Sequence, residues 1–207
     1  NLSYPISIQS SKTSNLGPNT ASNNFQDGIE LRGEVTVDAT WPNTSLPYIA
    51  TADITVRGAA NNATATLTIE PGVEVKFEPA KGLYVGLYTA PYIYYGALIA
   101  QGTATEPITF TSNKAIPAPG DWKGIYFRDQ TVNLTTILDY VTIEYGGNTN
   151  NADVYVANAS FPITNSTISK SSGYGVYASN SSLTIQYGNI ISNTLGGVNN
   201  VSSNLIH

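Results

Sequence analysis

The sequence predicts an all-β fold, a β-solenoid with coils of about 22 residues, and three observations predict it. The first is composition. Of 207 residues 41% are hydrophobic and only 11% charged, while Ser, Thr and Asn supply about a third. Helices normally carry Glu, Lys and Arg on their exposed faces, so this balance favours strands and polar turns. The second is a bend. In "LTIEPGVEVKF" (67–77) two apolar–polar alternating stretches flank Pro71-Gly72. A continuous strand does not hold Pro-Gly at its centre, and Pro-Gly is not a preferred two-residue hairpin turn. The pair therefore reads as a corner between strands of different sheets. The third is a repeat. "DVYVANASFPI" (153–163), "GVYASNSSLTI" (175–185) and "GVNNVSSNLIH" (197–207) space Val154, Val176 and Val198 by 22 residues, and likewise Phe161, Leu183 and Leu205. Ile168 and Ile190 keep the same interval. One such coil cannot bury its apolar face alone, and stacking sets like residues over like about 4.8 Å apart.

In chain order, residues 1–32 form a polar, Asn/Ser-rich lead-in with one alternating stretch, "SYPISIQSS". This lead-in is expected to serve as a docking segment, and residues 33–207 as the solenoid. "GEVTVDATW" opens the first coil-like segment and "YIATADITV" continues it. "GLYVGLYTAPYIYYGAL" (82–98) is dense in Tyr and reads as an insertion. "GGNTNNA" (146–152) reads as a second one, lengthening a coil to 29 residues between Ile125 and Val154. No segment carries a helical signal.

"TLTIEPGVEVKF", "GALIAQGTATEPITFTS", "PGDWKGIYF" and "DYVTIEYGG" together resemble the secreted right-handed parallel β-helix proteins of bacteria and archaea, over roughly residues 33 to 207. The resemblance implies a right-handed parallel β-helix. It does not select a role, because that superfamily holds polysaccharide lyases and hydrolases, adhesins and surface proteins without known activity.

Composition narrows the partners. The net charge of −5 is spread out, with no Lys/Arg run, which argues against nucleic acid. No apolar run reaches the roughly 18 to 20 residues of a membrane span. With no cysteine, disulfides and thiolate metal sites are excluded. The chain opens on Asn1 without a signal peptide, as expected of a mature or excised form. Sequons stand at Asn1, Asn43, Asn62, Asn133, Asn158, Asn165, Asn180 and Asn200, about twice the number chance would give. They predict an extracellular or cell-surface glycoprotein.

A lyase on this fold would need carboxylates converging on Ca²⁺ beside an Arg or Lys, and a hydrolase two or three acids from neighbouring coils. The candidates are Asp121, Lys123, Arg128, Asp129, Asp139, Glu144 and Asp153. Aligning the coils sets Asp129 over Asn158 and Asn180, a column with one acid. No Asp-x-Asp, Ca²⁺-loop or Gly-x-Ser-x-Gly motif occurs. His207 is the last residue and a poor catalyst. The expectation is no catalytic residue, no metal and no cofactor.

Tyrosine carries more information. With Ile125, Val154 and Val176 inward, Tyr126, Tyr155 and Tyr177 point outward, one per coil. Such a column stiffens a solenoid or offers a flat platform to sugar rings or a neighbouring subunit. Tyr84, Tyr88, Tyr92, Tyr94 and Tyr95 are expected to form a loop packed on the coil flank or an exposed contact patch. At the C-terminal end an unfinished coil leaves Val198, Leu205 and Ile206 as an open assembly end, cut from a longer protein or awaiting another chain.

The functional expectation is a non-catalytic structural protein of a surface filament, sheath or layer. Its partner is another copy joined head-to-tail, or neighbouring domains of a longer chain. The second reading is an adhesive or carbohydrate-binding module with glycans as partners. The third, carried by fold analogy, is a polysaccharide lyase or hydrolase.

Overall fold

The computed structural model describes residues 4–149, 151–202 and 204–206. All of its described elements are strands, and all but Leu87–Thr89 fall into three parallel sheets. The first sheet stacks Ile6–Gln9, Ile29–Arg32, Tyr48–Ala50, Glu74–Phe77, Ile108–Ser112, Val141–Glu144, Thr167–Ser169 and Asn189–Ile191. The second stacks Ala39–Trp41, Thr64–Ile69, Tyr92–Gln101, Ile137–Asp139, Pro162–Thr164, Ser182–Gln186 and Asn204–Ile206. The third stacks Ile54–Val56, Gly82–Val85, Gly124–Phe127, Ala152–Ala157, Tyr174–Ser179 and Gly196–Val201. The chain runs first sheet, third sheet, second sheet and back to the first. This is a parallel β-helix. Pro71-Gly72 is the corner from Thr64–Ile69 to Glu74–Phe77, and Gly72 takes φ +79°, a conformation that costs glycine least.

Alternation along each strand builds the core. Ile54, Leu83, Ile125, Val154, Val176 and Val198 lie one over the next in the third sheet. Ile29, Tyr48, Val75, Phe110, Ile143, Ile168 and Ile190 do so in the first. In the second sheet Leu183 lies over Leu205, and Phe161 packs inward against Phe127 with ring centroids 4.3 Å apart. Each fully buried side chain of this kind stabilises the fold by roughly 1.5–3 kcal/mol. The 22-residue period holds in the last coils, and Ile125 to Val154 spans the expected 29. The middle coils are longer, since Val75 pairs with Phe110, 35 residues on, and Phe110 with Ile143, 33 on, whereas Ile29 pairs with Tyr48 only 19 on.

In the last coils each corner includes at least one non-glycine residue in the left-handed region. Asn158 and Asn180 serve between the third and second sheets, and Tyr140, Asn165 and Tyr187 between the second and first. Tyr145, Lys170 and Ser192 serve between the first and third. Asn tolerates this conformation through its short polar side chain. The tyrosines and the lysine bear a cost on the order of 1 kcal/mol each.

Two expectations on organisation need correction. Gly82–Val85 is a coil strand, and Tyr92–Gln101 runs on into the second sheet, where Tyr95 to Ala100 pair with Thr64 to Ile69. The insertion is therefore not 82–98 but a hairpin, Leu87–Thr89 paired antiparallel with Tyr92 to Tyr94. Nor do residues 4–32 reach away from the solenoid. Ile6–Gln9 pairs with Ile29–Arg32, and Ile29 and Leu31 have no exposed surface. The segment after Ile6–Gln9 then wraps over the free edge of Ala39–Trp41. Thr13 Oγ1 donates to Thr40 O at 2.6 Å, Ser14 Oγ accepts from Thr40 N at 3.0 Å, and Trp41 Nε1 donates to Ser10 O at 2.9 Å. It is a cap, built from single polar contacts that leave no repeated phrase.

If this segment belongs to the core, Leu31→Ala lowers stability in urea by about 2–5 kcal/mol, the usual range for such truncations. Unchanged stability would detach residues 4–32 from the solenoid.

Candidate functional site

The outer face of the third sheet carries a continuous strip of phenols. Four tetrapeptides, Leu83-flanked "GLYV", "GIYF", "DVYV" and "GVYA", place one Tyr between two inward apolar residues with no exposed surface. The four tyrosines stack in register, Tyr84 to Tyr126 to Tyr155 to Tyr177. Ring centroids lie 4.8, 5.8 and 5.1 Å apart in that order, and the last pair is parallel to within 6°. Tyr126 is the buried member. Its hydroxyl donates to Thr149 O at 2.5 Å, so the chain at Thr149 covers this part of the strip. Burial first, then Tyr84, pushes the Tyr126 phenol well above its ordinary value.

The Tyr84 end is basic. Arg128 sits 4.7 Å over the Tyr84 ring, and Lys123 Nζ lies 5.7 Å from it while bonding Asp53 at 2.6 Å. Burial pulls the Lys123 ammonium down, and its bonds with Asp53 and Tyr84 outweigh that and hold it above the usual value. Tyr84 thus belongs to the ladder and not to the insertion cluster, which divides. Tyr94 lies under Arg57 at 4.9 Å, Tyr95 joins a coil strand, and Tyr88 and Tyr92 are exposed on the hairpin. The shared apolar-Tyr-apolar phrase was the signal for Tyr84.

The acids behave differently. Two of the five nominated acids, Asp139 and Glu144, and several others tie one coil to the next. Asp139 Oδ1 accepts from Thr164 Oγ1 at 2.7 Å and Asn165 Nδ2 at 2.9 Å. Glu144 takes Lys170 Nζ at 2.7 Å and Thr111 Oγ1 at 3.3 Å. Asp38 accepts from Thr66 N at 2.8 Å, Asp53 from Gly82 N at 3.0 Å, and Glu70 from Asn43 N at 2.9 Å. Asp121 instead closes the 113–121 loop, taking Lys114 Nζ at 2.6 Å, Ser112 Oγ at 2.7 Å and Ala118 N at 2.8 Å. Burial raises its carboxyl, and these bonds more than offset it, leaving Asp121 below the ordinary range. Asp129 is exposed and touches Gln130. Among the described residues no three acids or histidines come together as a metal site would require.

Asp153 stands apart. It has no exposed surface, and neither carboxylate oxygen has a hydrogen-bond partner. The Gly146 amide and Ser171 hydroxyl are near without reaching bonding geometry. Glycine at 146 leaves its room, since a Cβ there would stand 2.6 Å from Asp153 Oδ1. Burial first, then the like charge of Glu144, pushes this carboxyl well above the ordinary value.

Of the sequons, Asn43, Asn62, Asn133, Asn158, Asn180 and Asn200 are exposed, and Asn165 is half-buried. Asn1 and His207 lie outside the described residues, and Leu205 and Ile206 are described only as parts of the strand Asn204–Ile206. Val198 is half-buried against the core at the last coil. Tyr187, Ile191, Leu195 and Val201 of the last coils are exposed.

A family model described as a pectate-lyase-like β-helix domain matches residues 33–154. The Drosophila melanogaster protein named Protein bark beetle is 38% identical over 104 residues, covering 47% of this chain and 3% of that protein. The chain therefore spans a small fraction of that relative's length. No solved structure matches at a significant level.

The Asp153 geometry sets a pH dependence. A carboxyl raised in the folded state leaves stability intact below its unfolded value near 3.8 and removes it as pH climbs toward the folded value. Wild type should lose up to about 1.4 kcal/mol per pH unit across that window relative to Asp153→Asn. Urea unfolding at pH 4 and pH 8 measures this, and parallel pH profiles for the two proteins would refute it.

Proposed function

The chain belongs to the pectate-lyase-like β-helix domain family, and on that scaffold we propose a non-catalytic structural role outside the cell, as a module of a surface filament, sheath or layer. One observation carries the reading. Asp139 and Glu144, the nominated acids nearest each other in sequence, are both tied to adjacent coils, Asp139 through Oδ1 and Glu144 through both carboxylate oxygens. A carboxylate already bonded to a neighbouring coil is a poor acid, base or cation ligand for substrate. Two further features support it. The 104 matched residues are 3% of the Drosophila relative, consistent with such coils serving as one module of a much longer chain. The last coils also leave Tyr187, Ile191, Leu195 and Val201 exposed, apolar side chains that a neighbouring copy would cover in this reading.

The expected docking segment does not make this contact, since residues 4–32 are already used as first coil and cap. In this reading the last coil meets a preformed coil. Contacts between unlike surfaces propagate into a filament unless they close a ring.

A second reading has its own observation. The phenol strip, with Arg128 and Lys123 at one end, is flat enough to stack sugar rings and basic enough to hold an acidic one. Glycan binding lost on Tyr155→Ala and Tyr177→Ala, with polymerisation unchanged, would favour this adhesive role.

Glycosylation is tested by site. Asn43 Nδ2 donates to Pro71 O at 3.1 Å and Asn165 Nδ2 to Asp139 at 2.9 Å, so the nitrogen that carries a glycan is engaged at both. Occupancy should favour exposed Asn62, Asn158, Asn180 and Asn200, and glycopeptide mapping that finds Asn165 fully occupied would contradict the site order. For the role itself, the protein should release no reducing or unsaturated ends from acidic or neutral glycans. It should also sediment as larger species with rising concentration, which Ile191→Asp suppresses. Glycan cleavage, or a monomer at every concentration, would overturn the structural reading.

A further inference from the structure

We propose that Tyr155 and Tyr177 are a cross-linking site, joined ortho carbon to ortho carbon as a dityrosine when the protein meets hydrogen peroxide and a haem peroxidase. The bond would staple two successive coils of a chain that has no cysteine with which to do so.

Composition directs oxidation to phenols. There is no Cys and no Met, hence no sulfur to be oxidised first. Trp41 and Trp122 have no exposed surface, and each indole N–H is bonded to a backbone carbonyl, of Ser10 and of Glu144. Tyrosine is what remains accessible.

Geometry then selects the pair. Tyr155 and Tyr177 are Cα partners on paired parallel strands, so the backbone holds them side by side. Their rings are parallel to within 6° with centroids 5.1 Å apart, and both are half-buried, within reach of a small oxidant. Tyr126, the next ring in the column, is unsuited. It is buried, tilted 30° at 5.8 Å from Tyr155, and its hydroxyl proton is held on the Thr149 carbonyl. Tyr174 lies 6.4 Å from Tyr177 at 54°, a poorer approach. Exposed Tyr92 has only Tyr94, 6.5 Å away at 49°. Oxidation of isolated exposed phenols such as Tyr187 leads to links between molecules instead.

The chemistry closes on itself. Each phenol loses one electron and its hydroxyl proton, and the two electrons and two protons reduce one hydrogen peroxide to two waters. The two ring radicals form one carbon–carbon bond ortho to their oxygens. Each bonded carbon then passes its hydrogen to its phenol oxygen, which restores both aromatic rings. The product is the chain less two hydrogen atoms.

The test exposes the dilute 207-residue protein to hydrogen peroxide and a haem peroxidase, isolates the monomer and digests it with trypsin. Cleavage after Lys170 puts Tyr155 in peptide 129–170 and Tyr177 in peptide 171–207. The expected result is dityrosine fluorescence in a monomer lighter by two hydrogen atoms, with the two peptides joined and fragmentation placing the bond at Tyr155 and Tyr177. Tyr155→Phe and Tyr177→Phe should each abolish the joined species, while Tyr187→Phe leaves it. The proposal is overturned if tyrosine is consumed with only dimers formed, or if the bond lies within 171–207. It is equally overturned if the joined species survives either Phe variant.

Discussion

Parallel backbone pairing between successive coils, at a strand spacing of about 4.8 Å, is the constraint on which the rest of this molecule depends. Pairing fixes register residue for residue, so each position meets the same position of the coils above and below. A slip of one residue would turn every inward side chain outward. Apolar positions therefore become columns, as from Ile54 to Val198 in the third sheet, and outward tyrosines become a ladder. No element stabilises itself. Each strand is three to ten residues long and relies on its neighbours for both hydrogen bonds and burial.

The same constraint governs charge. In the first sheet Glu74 lies beside Thr109, while Lys76, Thr111 and Glu144 follow one another. In the second sheet Asp139 stands between Gln101 and Thr164. These are alternations of an acid with a neutral donor or a lysine. Two acids in one column would face each other at strand spacing and repel. Placing acids singly lets each bond a donor one coil away, which suits cohesion and works against the convergent carboxylates that glycan cleavage requires. Asp153 is the departure from this pattern, an acid turned into a space that Gly146 leaves open and where no donor reaches bonding geometry.

Much of this was legible in the sequence, and the illegible parts have physical reasons. The Pro71-Gly72 corner, the Val and Ile columns, the 29-residue coil and the outward Tyr126, Tyr155 and Tyr177 all follow from alternation plus period. Tyr84 was misassigned because the hairpin after Gly86 made the whole Tyr-rich stretch read as inserted, although "GLYV" matches the other ladder phrases. The first coil was missed because its strands are short and its cap is made by Ser10, Thr13 and Ser14, residue types that occur in every loop. The acid-to-coil bonds were out of reach for a different reason. They join residues 25 to 33 apart, as Asp139 to Thr164 and Thr111 to Glu144, through side chains whose direction only the folded corner fixes. Corner tyrosines such as Tyr140 and Tyr187 likewise carry no local signal for a left-handed backbone.

In-register stacking is the central claim, and a chain without cysteine allows a direct measurement of it. Thr142 and Thr167 are outward Cα partners on adjacent strands, whereas Ser169 is displaced by two residues from that register. Strand spacing of about 4.8 Å suits a disulfide, and a displacement of two residues along the strand stretches the Cα separation to about 8 Å, beyond its reach. The double variant Thr142→Cys/Thr167→Cys should therefore oxidise to an internal disulfide under mild air oxidation, while Thr142→Cys/Ser169→Cys keeps two free thiols under the same conditions. Equal closure of both pairs, or closure of the displaced pair alone, would contradict the register and every column built on it.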